Sequence, residues 1–220
     1  GNESCIYAYV AYRDMQGRIL NEWTGKKLAQ YPNSFGVFSS ASNEAPEEVR
    51  ILGKTLLSGI DIKGIAEPEF KYDSRDKKYK LMEINLRSMM WHRVGNLSGV
   101  NLQYTQYLDA LGKTVEPQIQ IKDKDIHFIY LNHEIINLLF RKNYFPVFKK
   151  NIWDSDESHI AVYDKSDIKP FLKDIIGLPR MIFRRFMRAS GILHQLQKIR
   201  EHTIGKSKKH KWLNKDPQFK

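Results

Sequence analysis

Alternation with period two runs through Ile6–Arg13. Ile6, Ala8, Val10 and Tyr12 share one face, and Tyr7, Tyr9 and Ala11 share the other. That spacing predicts a strand with two apolar faces. Residues 14–17 read as a turn and 18–23 as a returning strand, followed by Gly25, Lys26, Lys27 and Leu28 and a loop over 31–36. Over 43–60 the period changes to that of a helix. Val49, Leu52, Leu56 and Ile60 form one stripe, with Asn43 as the expected cap and Pro46, Glu47 and Glu48 in the first turn. Residues 64–72 and 79–85 predict a hairpin around a polar turn at 73–78. Residues 101–111 predict a helix stopped by Gly112. A short strand (126–131), a short helix (133–142) and a loop (166–170) follow, with weak signals over 114–125. Over 179–200, Ile182, Phe186, Ala189, Leu193 and Leu196 recur at helical spacing, with Arg184, Arg185, Arg188 and Lys198 on other faces. The expected fold class is α+β: an antiparallel sheet with flanking helices, plus a basic helical extension at the C-terminal end.

Composition restricts the options. With 220 residues, 41% of them hydrophobic, the chain can bury a core. No apolar run approaches the ~20 residues of a membrane-spanning helix, and no signal peptide is visible. Cys5 is the single cysteine, so no internal disulfide forms, which favours a reducing compartment. A cytoplasmic setting is expected, with a membrane-peripheral position as a variant. The formal net charge is +11, but it is not spread evenly. Residues 180–220 hold 12 of the 36 Lys and Arg and 2 of the 25 Asp and Glu, so the remaining 24 and 23 nearly cancel. A basic groove across the body, and with it a nucleic-acid partner, is not indicated. For the tail three readings stand: docking on the body, lying on an anionic membrane through 179–220, or contacting an acidic partner or nucleic acid.

The hairpin carries the candidate chemistry. Period-two alternation puts Glu83 and Asn85 on one face of their strand, and Glu69 lies near the matching level of the partner strand. Two carboxylates and an amide oxygen are hard donors suited to Mg²⁺, which keeps its remaining sites for water and phosphate. Arg87, two residues on, would add a positive charge beside phosphates. The residues alone leave a second reading open, a solvated face with exposed glutamates. Leu81, Met82 and Ile84 argue for a strand at least half buried. Of Lys26 and Lys27, alternation lets only one face the site, and a solvated basic pair is the other reading. Trp91 reads as a packing residue with His92 and Arg93 in solvent, or as a neighbour of two substrate contacts. His127 and His133 share no register that would build a zinc site.

Glu69-Phe70, Asp73-Ser74-Arg75-Asp76 and the run from Tyr79 to Arg87, read Tyr-Lys-Leu-Met-Glu-Ile-Asn-Leu-Arg, together resemble the C-terminal core of the ATP-grasp superfamily. The likeness extends to Tyr9 through Gly17, Gly25-Lys26-Lys27 and Pro32 through Gly36. It also extends to Gly99 through Leu102 and Tyr107 through Gly112, near the carbamoyl-phosphate-synthase-like and D-aspartate-ligase-like carboxylate–amine ligases. The resemblance implies ATP with two Mg²⁺ ions (or Mn²⁺) on Glu69, Glu83 and Asn85. It implies phosphate contacts from Lys26 or Lys27 and from Arg87, with Arg87 also catalytic. The implied reaction activates a carboxylate as an acyl phosphate for attack by an amine or similar nucleophile. The family's upstream subdomain, with most adenine contacts, has no counterpart in these residues and is the expected partner. The expected organisation is an ATP-grasp subdomain at 1–115, a mixed α/β extension at 116–178 and the basic helix and tail at 179–220. The alternative is a degenerate core acting as a binding module, with the basic tail as its working part.

Overall fold

The computed structural model describes residues 5–33 and 36–189. Serine 34 and Phe35 of the quoted loop, and the predicted helix and Lys-rich segment beyond residue 189, lie outside the described residues. Two units are distinguished, Gly1–Phe171 and Leu172–Lys220.

The first unit is built on a seven-stranded sheet: β1 (Ile6–Arg13), β2 (Ile19–Tyr31), β3 (Val37–Ser42), β4 (Gly64–Asp73), β5 (Lys78–Asn85), β6 (Ile126–Ile129) and β7 (Glu157–Ile160). The order is β5-β4-β1-β2-β3-β6-β7. Every neighbouring pair is antiparallel except β6 and β7, which run parallel. Helices α1 (Glu47–Ser58), α2 (Arg93–Leu97), α3 (Leu102–Ala110), α4 (Leu131–Phe140) and α5 (Phe145–Trp153) flank it. The α+β expectation holds, with one parallel edge added.

The apolar character of both faces of β1 has a direct consequence. Tyr9 and Ala11 pack with Val49 and Leu57 of α1 and with Ala66 and Phe70 of β4. Ala8, Val10 and Tyr12 pack on the opposite face with Trp23, Trp91, Val94, Val100 and Leu102. Two layers of helix therefore enclose the centre of the sheet, as its double hydrophobic pattern requires. Gly53 lets α1 approach closely, since a Cβ there would lie 2.3 Å from the Cβ of Tyr9.

Several local expectations change. The strand predicted over 18–23 runs on to Tyr31, because Gly25 and the lysines continue the β1 pairing instead of ending it. Asn43 does not cap α1. Pro46 precedes the helix, while the Asn43 amide donates to the carbonyls of Ile121 and Lys124 and accepts the N–H of Ile126, tying β6 to β3. Asn101 does cap α3, accepting the Tyr104 N–H at 3.0 Å. Strand β5 is the sheet edge, and Leu81 and Met82 are about half exposed, so the half-buried reading of that strand fails.

The other unit is described through the helix α6 (Lys169–Ala189), which leads into it. It starts ten residues before the predicted Pro179, so the expected loop over 166–170 already holds its first turn, and Pro179 sits inside the helix. Pro170, in the first turn, costs no hydrogen bond.

Candidate functional site

Glu69 pairs directly with Glu83 across the β4–β5 ladder, and Glu67 pairs with Asn85. Directly paired residues of neighbouring strands point to the same face. The four side chains therefore stand together on the face shared with Trp91. A register shift beside Glu69 lets Phe70 pair with Leu81, leaving Met82 as the extra residue.

Burial divides the group. Glu67 and Glu69, on the interior strand β4, are buried, whereas Glu83 and Arg87 are exposed and Asn85 is intermediate. Glu69 is met by Lys27, whose Nζ donates to both carboxylate oxygens at 2.7 and 2.8 Å. Lys27 reaches it diagonally. It pairs with Ile6 in the β1–β2 ladder, Glu69 pairs with Ala8, and the small Ala8 side chain leaves the path open. Of the two lysines, Lys27 faces Glu69, and Lys26 points to the other face and pairs with Glu44. The Asn85 amide donates to Glu69 Oε1 at 3.2 Å and to Glu83 Oε1 at 3.3 Å, bridging both carboxylates.

Glu67 is not among the residues expected in the site, and His92 enters it by burial and not as a substrate contact. Two positions before Glu69 on one strand, Glu67 shares its face, and that alternation is the signal that could have found it. Its carboxylate accepts from Trp91 Nε1 at 3.3 Å and contacts His92 Nε2. The expectation that His92 is solvated is corrected: the ring is buried against Glu67, because the 3-10 turn Met90–His92 folds it beneath the sheet beside Trp91. Arg93 is exposed, as that reading required. The Met89 N–H and the Gln103 amide both approach His92 Nδ1, at 3.4 and 3.3 Å, so Nε2 carries the proton and donates to Glu67. Gly25 permits this packing, since a Cβ there would lie 3.0 Å from Trp23 and 3.2 Å from Trp91.

The electrostatics follow from burial. Desolvation, then the hydrogen-bonded neighbour Glu67, pushes the Glu69 carboxyl up to about 7 despite Lys27. Burial raises Glu67 as well, with the Glu83 charge adding to the effect. Burial pushes His92 down to about 4, and the nearby Arg87 charge works in the same direction. Three carboxylates thus share one buried lysine and a neutral imidazole. This is a region short of positive charge. Among the described residues, no group of three or more His, Cys, Asp or Glu side chains is gathered around a point that could hold a metal ion. The donor chemistry nevertheless fits a hard cation: Asn85 lies within hydrogen-bond reach of both Glu69 and Glu83, and the three offer oxygen atoms only once the Asn85 amide turns its oxygen inward.

His127 and His133 are engaged away from the hairpin. His127 interacts with the Asn151 carbonyl and with Asp125, and His133 stacks between Tyr31 and Tyr130. They lie on different elements with separate partners.

No family profile matches the sequence. Over 104 residues the chain is 32% identical to the D-aspartate ligase of Enterococcus faecium (strain Aus0004), covering 46% of this chain and 25% of that protein. The chain thus spans about a quarter of the length of this curated relative. Among solved structures, N5-carboxyaminoimidazole synthetase from Staphylococcus aureus complexed with ADP overlaps 64% of this chain and 38% of its own, at 13% identity and a TM-score of 0.49. The biotin carboxylase domain of Hydrogenobacter thermophilus 2-oxoglutarate carboxylase, in complex with MgADP, ADP and bicarbonate, overlaps 53% of this chain and 27% of its own, at 15% identity and a TM-score of 0.44. Over those 104 residues the chain is similar in sequence to one part of a D-aspartate ligase.

Proposed function

We propose that this chain supplies the metal- and phosphate-holding half of an ATP-dependent ligase site, with Glu69, Glu83 and Asn85 as magnesium ligands. One observation carries the reading. Two glutamates are paired directly across β4 and β5, bridged by an asparagine amide, in a face where carboxylates outnumber buried cations. Like charges opposite one another on a sheet are unfavourable, and a divalent cation removes that cost. The relationship to D-aspartate ligase supports ATP as the nucleotide.

Magnesium held by these residues would neutralise the phosphate charge. The chain's own residues do the rest. Lys27 holds Glu69 in place and presents a fixed ammonium on the phosphate side. Arg87, exposed at the end of β5, stabilises the transferring phosphoryl group and is the catalytic residue. Glu67, through His92 and Trp91, fixes the floor of the site. In the reaction a substrate carboxylate oxygen attacks the terminal phosphorus, the bond to the bridging oxygen breaks and ADP leaves. The amine nitrogen then attacks the acyl carbon, the acyl–oxygen bond breaks, inorganic phosphate departs and the nitrogen gives its proton to the departing phosphate or to water. The carboxylate and the nucleophile are supplied as substrates.

Carboxylate-dependent release of ADP tests this. Joined to the subdomain that supplies the other half of the site, the chain should turn over ATP with magnesium, and Glu83→Gln should abolish that turnover without unfolding the chain. Unchanged turnover in Glu83→Gln contradicts the assignment.

A further inference from the structure

Helix α6 has a pattern that the ligase reading does not use. At 100° per residue, Phe171, Leu172, Ile175, Ile176, Leu178, Pro179, Ile182, Phe183 and Phe186 fall within one half of its circumference. The other half carries Lys169, Lys173, Arg180, Arg184, Arg185 and Arg188, against the single acid Asp174. Within the apolar half, Leu172, Ile176, Pro179, Phe183 and Phe186 form one exposed stripe, with Ile176 78% and Phe183 62% accessible. Large apolar side chains in a row, exposed to that degree, mark an interaction surface.

We propose that α6 is an in-plane anchor for a membrane surface rich in anionic lipid, with the Leu172–Phe186 stripe sunk among the acyl chains and the basic half among the headgroups. Charge decides the occupant. The helix offers six cations and one anion, which suits phosphate and carboxylate headgroups. The stripe steps by four, three, four and three residues, which would also suit pairing with a second copy. In such a pair Lys169, Arg180 and Lys173, which border the stripe on one side, would confront the same charges on the other copy, and that opposes association. No helix among the described residues is long and apolar enough to cross a membrane, so the geometry is that of a helix lying in the interface. The sequence beyond it adds further basic residues, eight Lys and Arg against two acids over 190–220. The inference is independent of the nucleotide site.

Co-sedimentation of the whole chain with vesicles tests it. Phosphatidylcholine vesicles containing roughly a third phosphatidylserine should pellet the protein, and pure phosphatidylcholine vesicles should not. Arg180→Gln, Arg184→Gln and Arg188→Gln together should weaken partitioning on the order of a hundredfold, at about fivefold per charge. Ile176→Ser with Phe183→Ser keeps every charge and should lower partitioning by about tenfold or more. Circular dichroism and melting of each variant separate loss of binding from loss of fold. Full retention by the serine variant would overturn the proposal, because binding would then be charge alone, as for any acidic polymer or nucleic acid. Absence of pelleting, with a dimer in the ultracentrifuge that the serine variant dissolves, would overturn it in favour of a second copy.

Discussion

The two strands of the candidate site are chemically alike and physically opposite. Strand β4 contributes Glu67 and Glu69, buried and each engaged by a partner in the chain: His92 and Trp91 for the first, Lys27 for the second. Strand β5 contributes Glu83, Asn85 and then Arg87, on the open edge of the sheet, where only the Asn85 amide ties Glu83 to its neighbour. The same residue type therefore carries different obligations. On β4 a glutamate must be satisfied for the chain to fold, and on β5 it is available to something from outside. The difference indicates that substitutions should separate stability from ligand binding according to strand, although all four residues share one face.

The largest contrast lies at Glu69. Glu69→Ala leaves the Lys27 ammonium buried without its carboxylate, and breaking such a pair from one side costs about 3–5 kcal/mol. Chemical denaturation should show that loss, together with loss of nucleotide binding. Lys27→Met should behave similarly near pH 8, because it strands the carboxylate instead. Lys26→Met, on the other face with Glu44, should leave the site unchanged.

The pH dependence of stability sharpens the same point. Glu69 ionises at about 7 in the folded chain and near 4.5 when unfolded. The folded state therefore holds its proton more tightly, and the stability this contributes is complete below about 4.5 and lost as pH rises through about 7. His92 has the opposite sign. Lowered to about 4 by burial, it contributes stability above its ordinary value of 6.5 that is lost as pH falls through about 4. Thermal melts of Glu69→Gln should lack the loss on the alkaline side, and those of His92→Gln the loss on the acid side. Millimolar magnesium should reduce the alkaline loss in the unmodified chain.

Smaller stability effects belong to β5. Glu83→Gln should leave the melting temperature nearly unchanged, as expected for an exposed side chain, while removing metal-dependent nucleotide binding. Arg87→Gln should have the least effect on melting and should lower turnover by roughly two to three orders of magnitude, as expected for losing a donor aimed at the transferring group. A strong destabilisation by either variant would erase the contrast between the strands.

Much of this was legible in the sequence because alternation is a strict rule. The facing of Glu83 with Asn85, and the level of Glu69, follow from period two and one polar turn. Glu67 was equally legible by that rule. It lies outside the order of Glu69, Glu83, Asn85 and Arg87 on which the family resemblance rests, and its contacts with Trp91 and His92 bring it into the site. The burial of β5 was misjudged for a different reason. Leu81, Met82 and Ile84 have the composition of an interior strand, but place in a sheet depends on strand order, which no local pattern contains. The continuation of β2 past Gly25 has the same cause. A glycine reads as a break unless it is known that Trp23 and Trp91 crowd its position. The short elements β3, α2, α5 and β7 were not legible, since four to nine residues hold too little period to stand out, and tertiary pairing makes them.

The central claim is that Glu69, Glu83 and Asn85 hold a divalent cation together with nucleotide phosphates. Manganese titrated into isotope-labelled chain in the presence of ATP tests it most directly, through paramagnetic broadening of backbone amides. Broadening should centre on residues 67–69 and 83–87, depend on ATP and vanish in Glu83→Gln. Broadening centred elsewhere, or unchanged in that variant, would contradict the account.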